Sequence, residues 1–191
     1  MKVYDISQEI FSCVVFPGDP APVKQTLCAT AKGDLYNLTA FSMCAHNGTH
    51  IDAPFHFLSH GKTVEQMELE AFVGPCWVAR YSGDVNARDA QNILEQANGA
   101  ERILIAGPAV VTAEAARVFA DGGISLIGNE SQTVGPENAP MEVHKILLGK
   151  GIALLEGVVL KNVPQGTYFL SAAPLKLAGS DGAPCRAILI G

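Results

Sequence analysis

The chain is poor in charge: Asp, Glu, Lys and Arg make up only 17% of its 191 residues, and lysine and arginine nowhere cluster. Thirteen basic against nineteen acidic side chains leave a formal net charge of −6. Neither nucleic acid nor an anionic membrane is therefore an expected partner. No run of eighteen apolar residues occurs, so no membrane-spanning helix is expected. The start, Met1-Lys2-Val3-Tyr4-Asp5, lacks the apolar stretch of a secretory leader. Cysteine is scarce and scattered (Cys13, Cys28, Cys44, Cys76 and Cys185), without a C-x-x-C pair. That pattern speaks against disulfides and a thiolate metal site and for a reducing, cytoplasmic setting, with a catalytic cysteine as the minor alternative. Internal repeats, low-complexity tracts and long linkers are also missing, so one domain over residues 1–191 is expected.

What is present is apolar bulk. Apolar residues form 48% of the chain, enough for a generous core. Short apolar runs bounded by Gly, Pro or Asp predict strands at Lys2–Ser7, Thr39–Ala45, Cys76–Tyr81, Arg102–Ala106, Ser125–Gly128, Ile152–Val159, Thr167–Ser171 and Arg186–Ile190. Helical patterns cover Ala87–Ala97 after an Asn86 cap, Ala113–Ala120 between a Thr112 cap and Gly122-Gly123, and Met141–Leu148 between Pro140 and Gly149. Strands and helices alternate only in the middle. The expected fold is α/β with a mixed sheet rather than a fully parallel one.

Chemistry concentrates in one place. His46-Asn47-Gly48-Thr49-His50-Ile51-Asp52-Ala53-Pro54-Phe55-His56 holds three of the five histidines and an aspartate within eleven residues. Imidazole and carboxylate suit zinc, manganese or iron, and a histidine beside such an ion can move protons. Gly48 and Pro54 disfavour a helix, whereas β-branched Thr49 and Ile51 favour extended backbone. On a strand, His46, His50 and Asp52 share a face, but His46 and His50 would lie ~13 Å apart at about 3.3 Å per residue. One ion cannot bridge that span, so the chain must bend, and Asn47-Gly48 tolerates the positive φ a bend needs. The bland alternative is a polar loop whose histidines cap backbone groups.

Glu156 interrupts the apolar runs Ile152–Leu155 and Gly157–Val159, and alternation places it with Leu154 and Val158 on a buried face. A buried carboxylate requires a compensating partner: a cation, or a lysine or arginine. His144 on the short third helix has by itself no stronger claim than any other histidine on a helix face.

The segment His46–Phe57 closely resembles the H-x-G-T-H-x-D-x-P-x-H-F signature of the cyclase family, which includes bacterial kynurenine formamidase, isatin hydrolase and polyketide cyclases. Tyr4-Asp5-Ile6-Ser7, Phe16-Pro17-Gly18-Asp19 and Leu175–Ala187 resemble its Y-D-I-S, W-P-G-D and P-L-K-L-x-G-x-D-G-x-P-x-R-A segments. The resemblance implies a swivelling β/β/α fold, usually dimeric or tetrameric, and two divalent cations, zinc ahead of manganese. It implies that His46, His50 and Asp52 hold the first ion. Asp52, His144 and Glu156 would hold the second, with Asp52 and Glu156 shared, while His56 exchanges protons. It further implies a small amide substrate, foremost an N-formyl aryl amine, with Phe16 in the pocket where kynurenine formamidases carry tryptophan. A cyclic amide or lactone, and a non-catalytic small-molecule binder, are the alternatives. Gly128–Gly135 departs from the family's G-x-D-x-x-S-x-D, with Glu130 at the first acid and Gly135 at the second. Ile105-Ala106-Gly107-Pro108 lacks the usual Arg-Thr-Gly, and the loop after it looks short.

Overall fold

A computed structural model describes all residues from Met1 to Gly191. In chain order it contains β1 (Val3–Asp5), β2 (Val23–Cys28), β3 (Leu38–Ser42), β4 (His50–Asp52), β5 (Val73–Arg80) and β6 (Gly83–Val85). Then come α1 (Ala87–Ala97), β7 (Arg102–Ala106), β8 (Ala109–Val111), α2 (Ala113–Asp121), β9 (Leu126–Asn129) and α3 (Met141–Gly149). The chain ends through β10 (Ala153–Glu156), β11 (Gly166–Ser171), β12 (Gly182–Pro184) and β13 (Ile188–Ile190).

Nine strands form one curled, mixed sheet in the order β1-β13-β11-β5-β7-β9-β10-β4-β12. The centre, β5-β7-β9-β10, is parallel, as crossover connections through helices require. Both flanks are antiparallel. Alternation sorts the core into two layers. Ile103, Ile105, Ile127 and Leu154 meet Ala90, Ile93, Ala115, Phe119, Val143 and Leu147 of the three helices. Leu104, Leu126, Ala153 and Leu155 face the other way, onto Ile51, Phe72, Leu170 and Leu189. The helices begin where their capping residues place them. Asn86 Oδ1 accepts from the Arg88 and Asp89 N–H groups while Asp89 reciprocates to the Asn86 N–H, and Thr112 Oγ1 caps the Ala115 N–H.

Several boundaries differ from expectation. Ile152–Val159 is not one strand, because Gly157 turns to φ +67° and ends β10 at Glu156. The third helix runs through Gly149, and Gly151 takes the left-handed position instead. Strands β2, β6, β8 and β12 were absent from the expected set, whereas β4 falls where Thr49 and Ile51 favoured extended backbone; all of these but β2 are three residues long, too short for a periodic signal.

Candidate active site

The site lies where β4 and β10 meet α3. Antiparallel register sets His50 opposite Glu156 and Asp52 opposite Leu154. Ile51 points into the core layer away from the helices, so His50, Asp52 and Glu156 point towards α3. From α3 comes His144. All four are at least 98% buried.

The bend expected at Asn47-Gly48 is present, with Gly48 at φ +65° and a Cβ there only 3.1 Å from the Cys13 Cβ. Asn47 fastens the turn: its Oδ1 accepts from the Cys44 N–H at 2.9 Å and its own N–H donates to the Cys44 carbonyl at 3.2 Å. The turn folds His46 back over β4, its Nδ1 2.8 Å from Asp52 Oδ1. Gly182 makes room, since a Cβ there would lie 2.7 Å from the His46 ring. Beyond β4, Pro54 opens a short 3-10 turn, Pro54–His56, that returns His56 to within 3.9 Å of Asp52 Oδ2.

The backbone sets the two buried imidazoles. His50 Nδ1 lies 3.0 Å from the Gly48 carbonyl and His144 Nδ1 2.8 Å from the Pro140 carbonyl. A carbonyl oxygen only accepts, so Nδ1 carries the hydrogen in both rings. Their Nε2 atoms then face the carboxylates. His50 Nε2 is 3.3 Å from Asp52 Oδ1 and 3.5 Å from Glu156 Oε2, while His144 Nε2 is 3.5 Å from Asp52 Oδ2 and 3.3 Å from Glu156 Oε1. Glu156 Oε1 also accepts the Val134 N–H at 2.7 Å.

Two carboxylates without lysine or arginine partners, opposite imidazoles tied at Nδ1, fit a dication as a donor set. Ligand atoms of His50, Asp52 and Glu156 lie within 4.8 Å of one another, as do those of His46, Asp52 and His56. Without a cation the same charges draw in protons. Burial opposes the charged forms of His50 and His144, but hydrogen bonds and charge from Asp52 and Glu156 outweigh it and raise each to about 10. For Asp52 burial pushes upward, but hydrogen bonds from His144, His46 and His50 hold it well below the usual carboxylate range.

One functional candidate went unassigned in the sequence. Asp181 Oδ2 lies 3.0 Å from both His46 Nε2 and His56 Nδ1, so one oxygen joins the two rings. Its residue type stood in the Leu175–Ala187 segment, but its partners lie 135 and 125 positions earlier, and nothing local announces the contact.

His46, His50, Asp52, His56, His144 and Glu156 line a cavity of about 220 Å³ together with Phe16, Asp19, Phe57, Gln132, Thr133 and Pro140. The structure thus gathers every expected site residue, Phe16 included. Glu130, which stands at the first acid of the family's G-x-D-x-x-S-x-D segment, is not among the cavity residues. Its Oε2 accepts the Gly107 N–H at 2.7 Å and its Oε1 the Leu160 N–H at 2.8 Å, so it braces two loops. Gly135 faces α3, where a Cβ would lie 2.9 Å from the Val143 Cβ.

A family model described as "Putative cyclase" matches residues 4–103. The kynurenine formamidase of Salinibacter ruber is 36% identical over 212 residues, covering 99% of this chain and 97% of its own. That alignment is longer than the 191 residues here, so it opens gaps in this chain, which is trimmed relative to that enzyme. A solved structure described as a potential metal-dependent hydrolase with cyclase activity superposes with a TM-score of 0.84 at 31% identity, over 98% of this chain and 96% of that one. Isatin hydrolase A from Labrenzia aggregata, at 22% identity, shares the fold with a TM-score of 0.84 over 98% of this chain and 93% of its own.

Proposed function

The chain belongs to the cyclase family and is a metal-dependent hydrolase, and from that premise we propose that it cleaves the amide of a small N-formyl aryl amine to formate and the free amine. The observation that carries this reading is the pair of buried imidazoles, each held at Nδ1 by a backbone carbonyl with Nε2 turned to Asp52 and Glu156. His46, His50, Asp52, His144 and Glu156 are the ligands, with Asp52 and Glu156 shared, for two divalent ions, zinc first and manganese second. When bound, such ions lower the pKa of water and polarise a carbonyl.

The remaining work falls to side chains. Asp181 accepts from His56 Nδ1, which leaves His56 Nε2 towards the cavity as the base for the attacking water. The same nitrogen then returns the proton to the departing aryl nitrogen. A separate acid is unnecessary, because one imidazole serves both half-reactions. Phe16 offers an aromatic face to the substrate ring without the N–H of an indole. The cavity suits a one-ring substrate, being smaller than the roughly 300–1,000 Å³ of drug-sized pockets.

Residues 1–191 act as one hydrolase domain in a homo-oligomer. Strands β2 and β3 pair only with each other in a separate two-stranded sheet, and Val23, Leu27, Leu38 and Phe41 on that hairpin are exposed. Such an arm is suited to packing against a second copy. Five unpaired cysteines favour a reducing cytoplasm. No helix is long and apolar enough to cross a membrane.

The deciding experiment measures formate release from formanilide by the purified chain. Activity is expected to vanish on chelation and to return with zinc or manganese. Turnover confined to lactones or cyclic amides would overturn the proposed substrate.

A further inference from the structure

The segment Ser131–Val134 passes beside Glu156 with its backbone firmly anchored. The Val134 N–H donates to Glu156 Oε1 at 2.7 Å, the Gly157 N–H to the Ser131 carbonyl at 2.6 Å, and Asn129 Nδ2 to the Thr133 carbonyl at 3.2 Å. The side chains between these anchors are the opposite case. Both polar atoms of the Gln132 carboxamide and the Thr133 hydroxyl are buried without a hydrogen-bond partner, although Thr133 is only 3% exposed. Both residues line the catalytic cavity. The Gln132 amide tip is also closely placed: a Cβ on Gly157 would clash with its Nε2 and with the Gly48 carbonyl. It therefore lies between the residue after Glu156 and the bend before His50. An anchored backbone that holds unpartnered polar side chains in the wall of a cavity is the arrangement of a preorganised recognition element.

We infer that Gln132 and Thr133 are the specificity-determining pair of this site, reading a second, uncharged polar group on the substrate that offers an acceptor and a donor side by side, as a carboxamide or lactam edge does. The inference rests on the arylformamidase reading and deepens it. A carboxamide has both donor and acceptor capacity, and its natural complement is another amide edge. Charge points the same way. No lysine or arginine lines the cavity, and Asp19, which is not among the proposed ligands, adds an acid to its wall, so beyond those ligands an ionised carboxylate finds no cationic side chain. A site built around buried hydrogen-bonding groups discriminates strongly against an analogue that leaves them unpaired.

The test compares the metal-loaded protein on formanilide and on formanilides bearing a carboxamide at the 2, 3 or 4 position of the ring. At least one carboxamide isomer is expected to exceed formanilide in kcat/KM by tenfold or more. Gln132→Leu and Thr133→Val should each cut that ratio by tenfold or more, chiefly through KM, and Thr133→Ser should restore it. Equal kcat/KM for all four substrates in the unaltered protein overturns the inference. So does a variant that slows all four in proportion, which would mark a merely structural role. Calorimetric titration with aniline and the aminobenzamides needs no turnover. Preferential aminobenzamide binding that disappears in Gln132→Leu sustains the recognition pair even when no formate is released from any substrate. Formate release without such a preference sinks the pair alone.

Discussion

A histidine holds a metal through a nitrogen that carries no hydrogen, and in His50 and His144 backbone carbonyls decide which nitrogen that is. His56 is fixed in the same way by Asp181, but its side chain is 27% exposed where those of His50 and His144 are 1% and 3%. Exposure suits a group that must exchange protons, and burial suits ligands. His56→Ala should therefore keep most of its metal by elemental analysis while kcat falls by about 10²–10⁴-fold, the usual span of general acid–base catalysis. Asp181→Asn should lower kcat less than that and displace the pH profile, because it alters the orientation of His56 rather than removing it. Asp52→Ala should lose both metal and turnover, since Asp52 oxygens lie within 4 Å of all four site histidines. At this scale the candidate site was legible where the proposed ligands cluster: the stretch from His46 to His56 stands out by residue type. Asp181 and Gln132 do not, because their roles arise from contacts across the fold.

Charge at these residues also sets a pH response. In the metal-free protein His50 and His144 rise to about 10, above the roughly 6.5 of a free imidazole. A raised pKa contributes stability that is complete below the unfolded value and is lost as pH climbs through the folded one. The melting temperature of the metal-free protein should accordingly fall between pH 7 and 10. Metal binding must displace these protons, so calorimetry in buffers of different ionisation enthalpy should detect proton release at pH 7.

At the scale of elements, the bend before β4 matters most. Gly48 combines positive φ with close contact to Cys13, so Gly48→Ala should destabilise the fold by about 1 kcal/mol or more and separate His46 from Asp52. Denaturant melts together with metal titration would register both effects. The need for this bend followed from simple reach, because an extended chain cannot bring positions 46 and 50 to one ion. The end of β10 did not follow, because Ile152–Val159 reads as one apolar strand. The strand stops at Glu156 because Gly157 turns to φ +67°, and the crowding there, where the Gly48 carbonyl and the Gln132 amide leave no room for a Cβ, accounts for a glycine at the turn.

For the whole molecule, the alternating layers around a parallel centre were legible as a mixed α/β sheet; all three helices start where expected, and the third overruns its expected end at Gly149. Strand order was not legible, since β4, β10 and β12 become neighbours through register alone. Because the cation site joins β4, β10 and α3, bound metal should stabilise the fold as a unit. At a free metal concentration of 100 Kd the gain is about 2.7 kcal/mol. Chelation should then lower Tm by roughly 5–10 °C in a domain of this size, as scanning calorimetry can measure.

The cross-strand pairing of His50 with Glu156 carries a consequence for how such a chain can change over time. Strand faces alternate residue by residue, so deleting one position between Gly48 and Asp52 would turn an imidazole or a carboxylate into the oily layer beneath and empty the pocket above. Loops far from this seam carry no such parity. A deletion at the periphery leaves the odd-and-even counting of this seam untouched, whereas one around residue 50 breaks it.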